Sequence, residues 1–405
     1  MSGSARTRFG AIGGPHGVLL GTFLLSLFVS SLQIMPASVL TLIMDDLGIG
    51  PTRASWLVSL TLLSPAIMAL PVGLSLDRLD NRVILLIGTV LVAVSGIWSW
   101  QTALSGAYTE LLASRLLTGV GIAMTWTAGA TIVSGAFAGG RAATATGIYT
   151  ASAPLGYVVG QAVPPFVAEY WNWEANFGLF AVAVAASFAL FGIVGYRTAS
   201  VAEAGATPRL SDFRHVFTHR GVWIVALMSF VAYSLNLFFN SWMPTYLSAE
   251  LGFSIAESGV LVALFPAMGV LARTSGGVIS DRWLNGRRRP VPLGAFLVTV
   301  VLVVVVSVAQ TPPVLAALMV LSGYFVQLGI GLFYTHVREL VDDFVAGSAI
   351  AVLTMASFTG GFSAPAIAGW LIERTGAYLP TFGYAFGLAV LGVGLALVVP
   401  EPDRA

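Results

Sequence analysis

Apolar residues run through this chain in long blocks, and short polar stretches separate them. Twelve blocks reach roughly the 20 residues that an α-helix needs to cross a bilayer: 17–43, 54–76, 83–103, 109–134, 144–167, 175–196, 221–245, 257–279, 291–309, 314–336, 347–370 and 380–399. In lipid only helices and closed barrels satisfy the backbone, and these blocks are too long and too uniformly apolar for barrel strands. The pattern predicts an all-α membrane protein with twelve transmembrane helices.

Composition agrees. Apolar residues make up 57% of the chain and charged residues 9%, against about 25% charged in soluble domains. Cysteine is absent, which excludes a disulfide framework and a thiolate metal site. Every basic residue is arginine. The first 16 residues carry Arg6 and Arg8 and lack a cleavable signal pattern, so the first block is expected to stay as an anchor. With the N-terminus inside, fifteen arginines fall in inner segments and two, Arg53 and Arg374, in outer loops; Arg115 and Arg273 lie within blocks. This asymmetry predicts a multi-pass protein of the plasma or inner membrane with both termini cytoplasmic.

The longest polar connection, 197–220, divides six helices from six. The expected units are 1–196, a linker at 197–220 and 221–405. Phe213, Val216 and Phe217 share one helical face, predicting a short interfacial helix in the linker. His215 and His219 stand at i, i+4 without further ligands nearby, so no metal is expected there.

A motif recurs across that divide. Gly73, Asp77 and Arg78 return as Gly277, Asp281 and Arg282, each offset by 204 residues. Ser152-Ala-Pro154 returns as Ser363-Ala-Pro365 at an offset of 211, and Gly119-Val-Gly121 as Gly329-Ile-Gly331 at 210. A repeat near half the chain length means two similar halves, as in many transporters. The repeated stretch resembles the Gly-x-x-x-Asp-Arg-x-Gly-x-Arg-Arg signature of the major facilitator superfamily. Asp80 stands at the glycine position of the first copy, and the second has two extra residues before Gly286. The resemblance implies the major facilitator fold, two pseudo-symmetric six-helix bundles rocking about a central site, and monomer as the default. It also implies gating roles for Asp77, Arg78, Arg82, Asp281, Arg282 and Arg287, with positive-inside anchoring as the plain alternative. Arg115-Leu-Leu-Thr-Gly119-Val-Gly121 resembles the superfamily's fourth-helix motif. That implies a conformational or proton-coupling role for Arg115; a local pairing with Glu110 is the alternative.

Arg273 lies about two turns inside the eighth block. A charge at that depth costs several kcal/mol unless it faces a polar cavity or a partner. The stretch Arg273-Thr-Ser-Gly-Gly-Val-Ile-Ser-Asp281 resembles helix 8 of the nitrate/nitrite porter family, whose arginine binds substrate. The second arginine of that family would fall at position 69, which is Ala69. Two readings stay open: anion binding by Arg273, or an interhelical structural role. Helices 1, 4, 7 and 10 usually line the cavity of the fold, and they add Gln33, Trp126, Asn236, Asn240, Tyr324 and Gln327 as candidate substrate-binding residues, with Thr125, Thr127 and Tyr233 nearby. Asn236 and Asn240 bond either a substrate or a neighbouring helix. Trp242-Met-Pro244-Thr-Tyr246-Leu247 resembles the end of helix 7 in anion:cation symporters, or forms an interfacial aromatic belt. The small residues of helices 5 and 11 (Gly156 and Gly160; Gly360 and Gly361) form either a sliding seam between the halves or tight packing. Pro154 and Pro365 are candidate kinks. His336, at a block end, is expected to be solvated.

No Asp or Glu stands in the middle of any block. Proton-driven symporters and drug antiporters commonly bear such a group, so uniport or anion exchange gains weight, and the coupling ion (H+, Na+ or a counter-anion) stays open. No phosphate-binding loop is present, which excludes ATP as the direct energy source. There is no Gly-x-Ser-x-Gly elbow, and neither an enzyme, a cofactor nor a nucleic-acid partner is expected. The expected function is alternating-access transport of a small solute, a small inorganic or organic anion first. Efflux of lipophilic compounds and a membrane sensor that does not transport are the alternatives.

Overall fold

A computed structural model describes residues 14–76, 80–137, 140–195, 216–342 and 345–402, with the backbone alone for 69–76, 140 and 143. The described residues form sixteen α-helices. In chain order they are α1 (Pro15–Ile34), α2 (Leu40–Leu47), α3 (Pro51–Leu76), α4 (Asn81–Leu104), α5 (Tyr108–Ala136), α6 (Gly140–Thr150), α7 (Ser152–Ala162), α8 (Pro164–Tyr170), α9 (Ala175–Val194), α10 (Arg220–Thr245), α11 (Ile255–Val278), α12 (Pro290–Val308), α13 (Pro312–Leu328), α14 (Ile330–Glu339), α15 (Ala346–Thr375) and α16 (Leu379–Val398). A 3-10 turn, Met35–Val39, joins α1 to α2. Grouped where they run on, they give twelve stretches: α1–α2, α3, α4, α5, α6–α8, α9, α10, α11, α12, α13–α14, α15 and α16. Ten of these stretches are long and apolar enough to cross a membrane; α3 and the broken α6–α8 stand at the second and fifth places. Most of the linker expected at 197–220 lies outside the described residues.

Local chemistry sets the ends. Asp80 caps α4 by accepting from the Arg82 amide at 2.9 Å. Ser254 and Glu257 form a reciprocal capping box at the start of α11. Pro15, Pro290 and Pro312 open their helices. Gly48 and Gly376, at φ of 58° and 67°, close α2 and α15. Large apolar side chains stand exposed along α4, α9, α12 and α16, among them Val90, Val182, Val301 and Val390. That belt faces lipid.

The two halves repeat each other in several of their close contacts. A side chain at Gly156 would strike the Leu27 carbonyl, and one at Gly360 the Phe230 carbonyl. One at Gly119 would strike the Thr61 carbonyl, and one at Gly323 the Phe265 carbonyl. Ser152 bonds Ser26 at 2.7 Å, and Ser229 bonds Ser357 at 2.7 Å. These pairs keep an offset of 203 to 205 residues throughout. The Ser-Ala-Pro match at 211 and the Gly-x-Gly match at 210 are therefore not the equivalent positions; Pro154 corresponds to Phe358 and Pro365 to Gln161. The error is close to seven residues, two helical turns, which returns a helix to the same face. The glycines of the fifth stretch pack on the first stretch inside one half, and Gly360 packs on the seventh inside the other. Tight packing within each half is what these glycines do. Gly361 alone of the four faces the other half: a side chain there would come within 3.5 Å of Leu62.

Proline sets a further device. Pro36 has no N–H, so the Leu32 carbonyl four residues earlier loses its helical donor. Arg115 supplies one. Its Nη1 donates to Leu32 O at 3.1 Å, its Nη2 to Gln33 O at 2.7 Å and its Nε to Leu57 O at 2.9 Å. The guanidinium is fully buried and sits 5.6 Å from the Phe177 ring. Arg115 thus clamps the first, second and fourth stretches together. It forms no ion pair with Glu110, which is exposed.

Candidate functional site

Arg273 projects from α11 into the middle of the bundle and is only half-buried. Its Nη2 donates to Gln327 Oε1 on α13 at 3.2 Å. Its Nε is buried with no acceptor, and among the described residues no carboxylate lies within ion-pair distance of it. The helices crowd around this point because glycine lets them. A side chain at Gly269 would strike Gln327, and one at Gly331 the Arg273 carbonyl.

Phenols surround the guanidinium. Arg273 lies within electrostatic reach of Tyr157 on α7 and Tyr334 on α14, and Tyr233 on α10 couples to both phenols. Tyr334 also engages Thr354 on α15. Tyr157 donates to Gln33 Oε1 at 3.3 Å. Both halves contribute: Gln33 and Tyr157 from the first, the others from the second. The predicted Arg273, Gln327 and Gln33 are thus in one neighbourhood. Tyr157, Tyr334 and Thr354 join them, and no single-sequence signal marked these three. Tyr157 and Thr354 sit in the fifth and eleventh stretches, outside the helices expected to line the cavity.

An apolar plug borders this site. Ile34, Ala37, Val58, Leu62 and Leu237 are buried together, with Tyr157, Tyr233, Phe358 and Phe362 packed against them. Beyond the plug, at the end remote from both termini, the halves are pinned. Glu373 Oε2 accepts from the Thr52 amide at 2.8 Å. Gln161 Nε2 donates to Asn240 O at 2.6 Å, a carbonyl that Pro244 has stripped of its helical donor. A side chain at Gly369 would come within 2.7 Å of Pro51 O, and one at Gly259 within 2.5 Å of Gln161 O.

Other predicted residues lie elsewhere. Asn240 Nδ2 donates to Asn236 O at 2.8 Å, and both residues are buried within the closed end. Trp126 packs on Tyr149, ring centroids 5.2 Å apart, and its carbonyl accepts from the Tyr149 hydroxyl. Tyr324 bonds Ser275 at 3.0 Å and packs toward α12. Two expectations need correction. Trp242 belongs to no interfacial belt: it is buried, and its Nε1 donates to Pro365 O at 2.9 Å. His336 is not solvated: it is buried, and its Nε2 donates to Pro400 O at 2.9 Å.

Asp77 and Arg78 lie outside the described residues. Arg82 pairs with Asp80 at 3.2 Å. In the second copy Arg282 and Arg287 are exposed, and Arg288 is the buried centre. Arg288 pairs with Asp281 at 2.5 Å and with both oxygens of Glu339 at 2.6 and 2.8 Å. The Glu339 bond first, with Asp281 behind it, raises the Arg288 pKa well above the ordinary arginine value. Glu401 fixes the same turn by accepting from the Arg288 amide at 2.8 Å. Counting from Gly286, Arg288 is the first arginine of the terminal Gly-x-Arg-Arg, one place beyond the expected Arg287. Among the described residues no three His, Asp or Glu side chains group as metal ligands.

The comparisons with known proteins agree with this architecture. Residues 18–365 match the Major Facilitator Superfamily. The "Hexuronate transporter" of Bacillus subtilis strain 168 is 24% identical over 365 residues, covering 86% of each chain. The "Probable nitrate/nitrite transporter NarK2" of Mycobacterium tuberculosis strain ATCC 25618 / H37Rv is 26% identical over 328 residues, covering 80% of this chain and 81% of that one. A mutant of the nucleoside transporter NupG superposes with a TM-score of 0.79 at 14% identity, covering 95% of this chain and 99% of its own. The repeated halves, the lipid-facing belt and the family match over most of its length have one reading: the chain belongs to the Major Facilitator Superfamily and is a membrane transporter of small solutes, not an enzyme.

Proposed function

We propose that the solute is a small anion, a carboxylate first, and that Arg273 is its counter-charge. The observation that carries this reading is the half-buried guanidinium with an unpartnered Nε and no carboxylate beside it among the described residues. Such a charge needs a neutralising visitor, and a carboxylate fits its planar fork. The relatives named for hexuronate and nitrate/nitrite carry anions too.

The halves, 1–196 and 221–405, rock about this site, joined by 197–220. The fifteen-to-two arginine asymmetry supports cytoplasmic termini in the plasma or inner membrane. On that orientation the pinned end faces outward, and the conformation is the inward-facing one. Asp77, Arg78 and Arg82 of the first copy, and Asp281 with Arg288 of the second, gate the cytoplasmic end. With no carboxylate described at the site, uniport or anion exchange fits better than proton symport. One chain holds both halves of the site, which supports a working monomer.

Proteoliposomes test the reading. Saturable uptake of D-glucuronate, formate, nitrate or nitrite is expected. Export of lipophilic dyes with no anion flux would overturn it in favour of lipophilic efflux.

A further inference from the structure

We infer that Tyr157, seated against Gln33, is the group with which the first half selects hydroxyl-bearing carboxylates over bare anions. The inference rests on the Arg273 reading and adds to it which anions the site prefers.

The site offers its charge from one half and a neutral donor–acceptor pair from the other. Tyr157 donates to Gln33 Oε1 at 3.3 Å, the long end of the range for such a bond. The phenol oxygen keeps its lone pairs, and Gln33 Nε2 has no acceptor among the described residues. A solute hydroxyl is both donor and acceptor. It can donate to the Tyr157 oxygen and accept from Gln33 Nε2, while a carboxylate on the same solute engages Arg273. A bare oxyanion has nothing to donate to the phenol oxygen, and it leaves the pair idle. Around them Tyr233, Phe358 and Phe362 present aromatic surface, which suits the C–H face of a sugar-like ring. Such a solute touches both halves directly beneath the apolar plug.

The size of the preference follows from the same geometry. A site that strands buried polar groups when a hydroxyl is missing discriminates by about 10⁴-fold or more. Here Tyr157 and Gln33 satisfy each other when no hydroxyl is present. The gain is one neutral hydrogen bond, about tenfold in affinity.

The test is equilibrium titration of the purified full chain with two probes of one shape. One is D-glucuronate. The other is tetrahydropyran-2-carboxylate, the same ring and carboxylate without hydroxyls. Wild type is expected to prefer D-glucuronate by about tenfold. Tyr157→Phe is expected to bring the two affinities to within about twofold, through loss on D-glucuronate, with an unchanged melting temperature. Parallel weakening for both probes would mark Tyr157 as merely structural and overturn the inference. So would a wild type that shows no preference or binds neither probe. Arg273→Gln separates the two layers. If it retains both affinities, the Arg273 reading falls and the inference with it. If binding depends on Arg273 but shows no hydroxyl preference, the inference alone falls.

Discussion

Replacing Arg115 with methionine is expected to lower the melting temperature of the protein by about 3–4 °C, the equivalent of about 3 kcal/mol in a chain of this size. Two effects oppose each other. Methionine removes a buried charge that has no carboxylate partner, and this relieves a desolvation cost of several kcal/mol. It also removes three bonds from a charged donor, each worth about 1.5–3 kcal/mol. The second effect wins because Pro36 leaves the Leu32 carbonyl with no helical donor, and water has no path to a group buried between helices. Arg115→Lys is expected to fall in between, since one ammonium cannot span carbonyls on the first and second stretches at once. Thermal denaturation in detergent measures both variants. A methionine variant as stable as wild type would show that the clamp holds nothing.

Arg273→Gln has the opposite profile. Arg273 makes one structural bond, to Gln327 at 3.2 Å, and a glutamine amide can replace it. The melting temperature should therefore stay within about 2 °C of wild type. Anion transport should fall about 100-fold at sub-saturating solute, because losing a partly buried charge-assisted contact costs about 3 kcal/mol. Initial-rate uptake in proteoliposomes, with reconstitution efficiency matched, reads this directly. Loss of stability in step with loss of flux would point instead to the interhelical role left open by the sequence.

The contrast between these arginines shows what a single sequence discloses. Depth in an apolar block singled out both residues, because a charge in hydrocarbon is legible from composition alone. Their partners were not legible. Arg115 is satisfied by carbonyls on two other stretches, one of them freed by a proline far away in the chain, and no spacing rule connects them. Arg273 could be placed near Gln327 only once the fold brings α11 against α13 at Gly269 and against α14 at Gly331. The two-fold repeat was visible in Gly73 and Gly277, yet the matches at 210 and 211 were helical-face coincidences. Backbone contacts at Gly156 and Gly360 fix the true offset. Arg288 was one residue from its expected place, Arg287, because the insertion before Gly286 shifts the end of the motif. Tyr157 escaped notice for a plainer reason. Tyrosine in an apolar helix is ordinary, and nothing local says which face looks toward the other half.

A structure determined with D-glucuronate bound is the most direct test of the central claim, that Arg273 receives the charge of the transported solute. The account predicts the carboxylate seated on the Arg273 guanidinium, its oxygens about 2.7–2.9 Å from Nε and a terminal nitrogen. A carboxylate bound elsewhere between the halves, with Arg273 turned to a protein partner, would contradict it.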